Sequence, residues 1–197
     1  HLSTETAENG LTAVQKAPAQ GTTVTLTSAP DTMINARFYS SGVLEHARLD
    51  AAGGRLVSQR DGDPTGPREA ARLGATVATL DQADSIVSHA DAAAVVSITA
   101  NRVETPALKQ LGTAADHARL SLEATLRGAL SGTGAQDLAL WRDAGGTVDI
   151  DRFTLSFDPV ALRLNATLAL DQLLRPEGAG TLEIKGFDEA IENLVSV

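Results

Sequence analysis

Cysteine is absent, which removes disulfide scaffolds, thiolate zinc sites and cysteine nucleophiles in one step. Aromatic residues make up only 3% of the 197-residue chain, so pockets that stack flat cofactors or bases on rings are not expected. The core must instead be built from Leu, Val, Ile and Ala, which supply most of the 43% hydrophobic content. Positive charge is scarce: 16 basic against 25 acidic residues leave a formal net charge of -9. A nucleic-acid binder needs a cationic field against the phosphate lattice, and this chain carries the opposite sign. The acidic residues are dispersed, as on a solvated surface. Among the basic residues Arg predominates over Lys, which reads as the codon bias of a GC-rich genome.

Long apolar runs are also missing. No stretch approaches the roughly 20 residues of a membrane span, and no signal peptide is recognisable. The chain opens on His1-Leu-Ser-Thr-Glu5 and closes on a helical pattern, 187–197, without a stop signal. Both ends read as boundaries of a region within a longer parent.

Alternation with period two dominates what is present, the signature of strands with one buried face. Residues 1–20 are polar and aperiodic and read as a flexible arm or short helix, leaving 21–197 as a single β-rich domain. Strands are expected at 22–29, at 43–50, and at 55–60 after a hairpin turn over Ala51-Ala-Gly-Gly54. Further strands are expected at 73–80, 85–89, 94–101 and 120–127. Asp61-Gly-Asp-Pro-Thr-Gly-Pro67 is a loop by every turn rule. Thr105-Pro-Ala-Leu-Lys-Gln-Leu-Gly112 carries an N-cap, an early proline and a closing glycine, and 135–144 ends at Gly145-Gly146. Both read as short helices.

The last third is clearest. In 147–157 the apolar phase slips between Ile150 and Phe153, which predicts a bulge or tight turn at Asp151-Arg152. Asp158-Pro159 turns the chain into 161–171, where Leu162, Leu164, Ala166, Leu168 and Leu170 hold one face. Arg175-Pro-Glu-Gly178 reads as the next turn, before a strand over 180–185 and a helix over 187–197. Hairpins and meanders with two or three short helices indicate an α+β fold built mainly on antiparallel sheet. Ala-Gly-Gly recurs before a strand at 52–54 and 144–146. Two independent glycine turns explain the echo more simply than a duplication into halves at about 21–102 and 103–197.

Candidate chemistry is thin. Asp61-Gly-Asp-Pro-Thr-Gly66 mimics the opening of a calcium loop, but Arg72 stands where the bidentate twelfth-position carboxylate belongs. Gly132-Thr-Gly134 precedes a helix, yet Asp137 occupies the third glycine position of a dinucleotide fingerprint and would repel a pyrophosphate. His46, His89 and His117 lie on separate segments without ligand spacing. Ser40-Ser41 lacks the strand–elbow–helix context of a nucleophile. Asp149 and Asp151 share a strand face turned to solvent. No general base or nucleophile has a partner at readable spacing, so no enzyme, cofactor or metal is expected. The feature left over is aliphatic surface: Leu122, Leu126, Phe153, Leu155, Leu162, Leu164, Leu168 and Leu170 form the expected apolar ligand face, against the alternative of an ordinary packed core.

The stretch Leu140-Trp-Arg-Asp-Ala-Gly-Gly-Thr-Val148 and its continuation carry a resemblance. Phe153-Thr-Leu-Ser-Phe157, Ala166-Thr-Leu-Ala-Leu-Asp171, Arg175-Pro-Glu-Gly178 and Ile184-Lys-Gly-Phe187 extend it. Over about residues 103–195 the chain resembles the proteobacterial family catalogued as domain of unknown function 2125. One departure is Asp158-Pro159, where Gly-Pro is expected. The resemblance implies a periplasm-facing domain whose parent is tethered to the inner membrane by an N-terminal anchor. It implies no catalytic residues. The strand pattern is also similar to that of AsmA-like lipid-transport proteins, at fold level only. The expected function is a non-enzymatic envelope domain that binds or passes a lipid or other apolar ligand. The alternative is an adaptor whose strand edges pair with an envelope protein.

Overall fold

The computed structural model describes residues 2–7, 10–17, 22–29, 31–60, 63–106, 118–132 and 134–186. Its strands are β1 (Leu2–Ala7), β2 (Gly10–Ala17), β3 (Thr22–Ser28), β4 (Met33–Phe38), β5 (Leu44–Ala51), β6 (Gly54–Arg60), β7 (Arg68–Leu73), β8 (Thr76–Gln82), β9 (Ala92–Asn101) and β10 (Arg119–Arg127). The helix α1 (Ala135–Asp143) follows, then β11 (Thr147–Phe157), β12 (Val160–Leu170) and β13 (Pro176–Lys185). A five-stranded sheet runs β1-β2-β3-β6-β7, and an eight-stranded sheet runs β13-β12-β11-β10-β9-β8-β5-β4. Every pairing is antiparallel.

Predominantly antiparallel sheet is therefore what the sequence indicated, with less helix than expected. Among the described residues α1 is the one helix, where two or three were anticipated; the expected 187–197 helix and nearly all of 105–112 lie outside the described residues. Within the stretch 1–20, read as an arm, Leu2–Ala7 and Gly10–Ala17 instead form the antiparallel pair β1–β2 at one edge of the smaller sheet.

Ala52-Gly53 is a corner, not a hairpin. β5 pairs with β4 and β8, whereas β6 pairs with β3 and β7 in the other sheet. The same crossing occurs three times side by side: β3 continues into β4, β5 into β6, and β7 into β8. Across the bend Ala29 N–H donates to Gly53 O at 2.8 Å, and Gly74 N–H to Asn101 O at 2.8 Å. β9 joins through its continuation, because Arg72 and Glu104 exchange two backbone hydrogen bonds of 2.8 Å. The two sheets are thus one creased fabric. A Cβ on Gly74 would lie 2.7 Å from Asn101 O, so the bend needs glycine there.

Four local readings differ from the structure. The strand expected at 73–80 begins at Thr76, and β7 before it, in the other sheet, was not anticipated. Residues 85–89 form a loop rather than a strand, because the Asp91 carboxylate accepts the N–H groups of Val87 (3.0 Å) and Ser88 (2.8 Å). The turn expected at 175–178 lies earlier. Asp171 accepts from the N–H groups of Leu173 and Arg175 at 2.8 and 2.9 Å, and Pro176 opens β13 opposite Leu170. A first-residue proline on an edge strand costs no ladder bond. β4 was not anticipated at all; it is exposed at all six positions, so burial imposes no alternation on it.

A small aliphatic core sits beside the crease, where Ala100, Val103, Ala118, Phe157 and Val160 are buried, with Leu73, Leu120, Leu155 and Leu162 packed against them. At the far end of β10 and β11, α1 docks through Trp141, which is 5% exposed and donates from Nε1 to Arg127 O at 2.8 Å.

Candidate functional site

The eight-stranded sheet has one apolar side, and its register shows how wide that side is. Ile34 on β4 faces Leu49, which faces Ala78, then Ile98 and Leu122. The row continues through Phe153 and Leu164 to Leu182 on β13. One apolar residue per strand therefore crosses the whole sheet. A parallel row links Leu120, Leu155, Leu162 and Ile184, and another links Leu126, Val148 and Leu168.

All eight residues expected to form the ligand face lie on this side. The register brings Leu122, Phe153 and Leu164 side by side, as it does Leu155 with Leu162; Leu126 and Leu168 flank Val148, and Leu170 ends the face opposite Pro176. Every one of the eight is only partly buried. The face is wider than expected, reaching Leu49, Leu80, Val96 and Ile98 on one flank and Leu182 and Ile184 on the other. The signal was the alternation of each strand; what joins those strands is pairing between segments far apart in sequence. The face is also graded: alanines at 47, 51, 78, 94 and 100 thin it toward β5, while leucines thicken it toward β12.

The phase slip in β11 is a bulge. Between the Ile150–Ala166 and Phe153–Leu164 pairs, Asp151 and Arg152 together oppose Asn165. The extra residue keeps Ile150 and Phe153 on the same apolar side, while Arg152 stays in register with Glu123 of β10 and Asp151 is the residue without a partner there. Two hollows flank it, of about 410 and 480 Å³, and of the eight expected residues they take in only Phe153 and Leu164.

The opposite side is polar and its groups are mutually engaged. Arg127 Nε donates to Asp149 Oδ2 at 2.5 Å, and Thr167 Oγ1 to Asp149 Oδ1 at 2.8 Å. These two donors, Arg127 first, hold the Asp149 carboxyl below its ordinary value against a smaller desolvation effect. Thr125 Oγ1 donates to Asp151 Oδ2 at 2.7 Å, and Asn165 Nδ2 donates to the Asp151 carbonyl. The paired carboxylates are thus ladder struts rather than an acid–base couple. His46 contacts Asp81 at 2.7 Å, and Ser41 donates to Asp84 at 2.7 Å, both at exposed positions. His117 and Asp61 lie outside the described residues. Asp137 turns back to accept the Gly134 N–H at 3.2 Å, placing a carboxylate where a pyrophosphate would sit. Among the described residues no group of three or more His, Asp or Glu is arranged to hold a metal, and no helix is long and apolar enough to cross a membrane.

Comparison with known proteins bears on the whole chain. The family model described as "Uncharacterized protein conserved in bacteria (DUF2125)" matches residues 3–197, so the likeness read over 103–195 extends through the first half as well. No curated protein and no solved structure matches. With essentially its full length inside that match, the chain belongs to the bacterial DUF2125 family.

Proposed function

We propose that this is a non-enzymatic, periplasm-facing envelope domain whose aliphatic sheet face receives an acyl chain of a lipid. The observation that carries the reading is the row from Ile34 to Leu182, apolar at each of eight strands and 54% and 56% exposed at its two ends. Aliphatic walls suit a flexible chain, since each buried methylene contributes about 0.8 kcal/mol without needing a directional partner. The reading is further supported by the engagement of the carboxylates on the polar side, which leaves them poorly placed as general bases. The periplasmic location is part of the same proposal and rests on the family resemblance.

The test is titration with 11-(dansylamino)undecanoic acid, followed by fluorescence, together with mass spectrometry of lipids extracted from freshly purified protein. Saturable binding is expected, weakened at least about tenfold by Leu164→Asp, which places a charge in the middle of the face. Thermal melting of the variant guards against simple unfolding, and Thr154→Asp on the polar side serves as the neutral control. Absence of saturable binding, or equal loss in both variants, would overturn the reading.

A second reading has its own observation. β13 is exposed at all ten positions and, among the described residues, pairs only with β12, so it offers its other edge to a partner chain. Blocking that edge should then abolish complex formation without touching acyl binding.

A further inference from the structure

We infer that the strand which completes the β13 edge is β13 of a second copy, paired antiparallel about a two-fold axis through Thr181. The inference rests on the edge-pairing reading, names its partner, and is independent of the acyl chain.

An antiparallel self-pair about an axis normal to the sheet keeps the apolar sides of both copies together only if opposing residue numbers differ by an even number. With Thr181 on the axis, Glu177 of each copy opposes Lys185 of the other. That gives two cross-strand ion pairs at the ends of the ladder and none of like sign. On the apolar side Leu182 opposes Gly180, and Ile184 opposes Gly178. The two large exposed apolar side chains of the strand, 56% and 49% accessible, each meet a residue with no side chain. On the polar side Glu183 opposes Ala179. Charge is therefore complementary at 177/185 and size at 178/184 and 180/182, and no pair from 177 to 185 opposes like charges.

Neighbouring registers lose this. Centring on Gly180 sets Glu177 against Glu183, a like-charge pair directly opposed. Centring on Leu182 sets Lys185 against Ala179 and puts two leucines face to face on the axis. The other broad edge does not share the property: β4 carries one charged residue, Arg37, which already donates to Glu45 of β5 at 2.8 Å. Lys185 is 61% exposed and rests 3.1 Å from its own Glu183, from where Glu177 of the second copy is one strand away. Pairing would join two eight-stranded sheets and double the width of the apolar face.

The absence of cysteine makes the test direct. A Thr181→Cys chain carries a single thiol, and on the axis it meets its own copy at the Cα spacing a disulfide accepts, about 4.5–5.5 Å. Mild oxidation should yield a covalent dimer from Thr181→Cys and not from Thr79→Cys, which lies inside the sheet. Sedimentation of the unmodified protein across micromolar concentrations should show a monomer–dimer equilibrium. Lys185→Glu and Glu177→Lys should each raise its dissociation constant at least about tenfold, and the two together should restore it. Both positions are exposed, so melting temperatures should hold. A dimer indifferent to both reversals, with no cross-link at 181, overturns the inference. So does a monomer at every concentration, and hydrogen exchange then separates the two ideas. Freely exchanging outward amides along β13 remove only the second copy, whereas protected ones show the edge already covered and remove edge pairing altogether.

Discussion

The indole of Trp141 hangs from the carbonyl of Arg127, 2.8 Å away, and fills the space left above Gly146. This contact fastens α1 to the ends of β10 and β11. Trp141→Ala should cost about 3–5 kcal/mol of unfolding free energy by urea denaturation. Trp141→Phe retains most of the packing and should cost mainly the hydrogen bond, about 1 kcal/mol. As the chain's one tryptophan, it should emit blue-shifted light that iodide quenches poorly.

Gly146 makes the reciprocal prediction. A Cβ there would lie 2.2 Å from Trp141 Cε2, far inside contact distance. Gly146→Ala should therefore destabilise by about 1–3 kcal/mol through overpacking. The tryptophan emission should shift with it, which an effect confined to the backbone would not produce.

Asp149 predicts a pH dependence. Its carboxyl is held below the ordinary range, chiefly by Arg127 and then by Thr167. A carboxyl depressed in the folded state contributes stability that is present above its unfolded value, about 3.9, and is lost as pH falls through the folded one. The urea midpoint should thus hold steady down to about pH 5 and decline below about pH 4. Asp149→Asn should be less stable than the parent at neutral pH and decline less in acid. Identical acid limbs in the two proteins would assign the linkage to another group.

Calcium should leave the melting temperature unchanged. Asp63 Oδ1 accepts from the N–H and Oγ1 of Thr65 at 2.9 and 2.6 Å, and Arg72 at the twelfth position is bound to Glu69 at 3.0 Å. A calcium-induced rise abolished by Asp63→Asn would contradict this assignment of the loop.

The sequence disclosed whatever one strand can disclose alone. The slip between Ile150 and Phe153 announced the bulge, because keeping both residues apolar-side forces an extra residue into the strand. The Leu162–Leu170 alternation announced the face for the same reason. Pairing partners were not legible. Ala51-Ala-Gly-Gly54 has the composition of a hairpin and of a sheet corner alike, and the choice is made by β3 and β8, which lie elsewhere in the chain. The width of the apolar side was hidden likewise, since Leu49, Ile98 and Leu122 become neighbours only through register. Met33–Phe38 gave no periodic signal because neither of its sides is buried.

The crease has a consequence for any attempt to dissect the protein. Strands 3 to 8 pass back and forth across it, so no single cut between residues 28 and 76 leaves the smaller sheet on one fragment and the larger on the other. The two sheets share their covalent thread as well as their hydrogen bonds. Melting should accordingly be one cooperative event, and a shortened chain ending inside that stretch should fail to fold as a unit, not survive as a smaller working module.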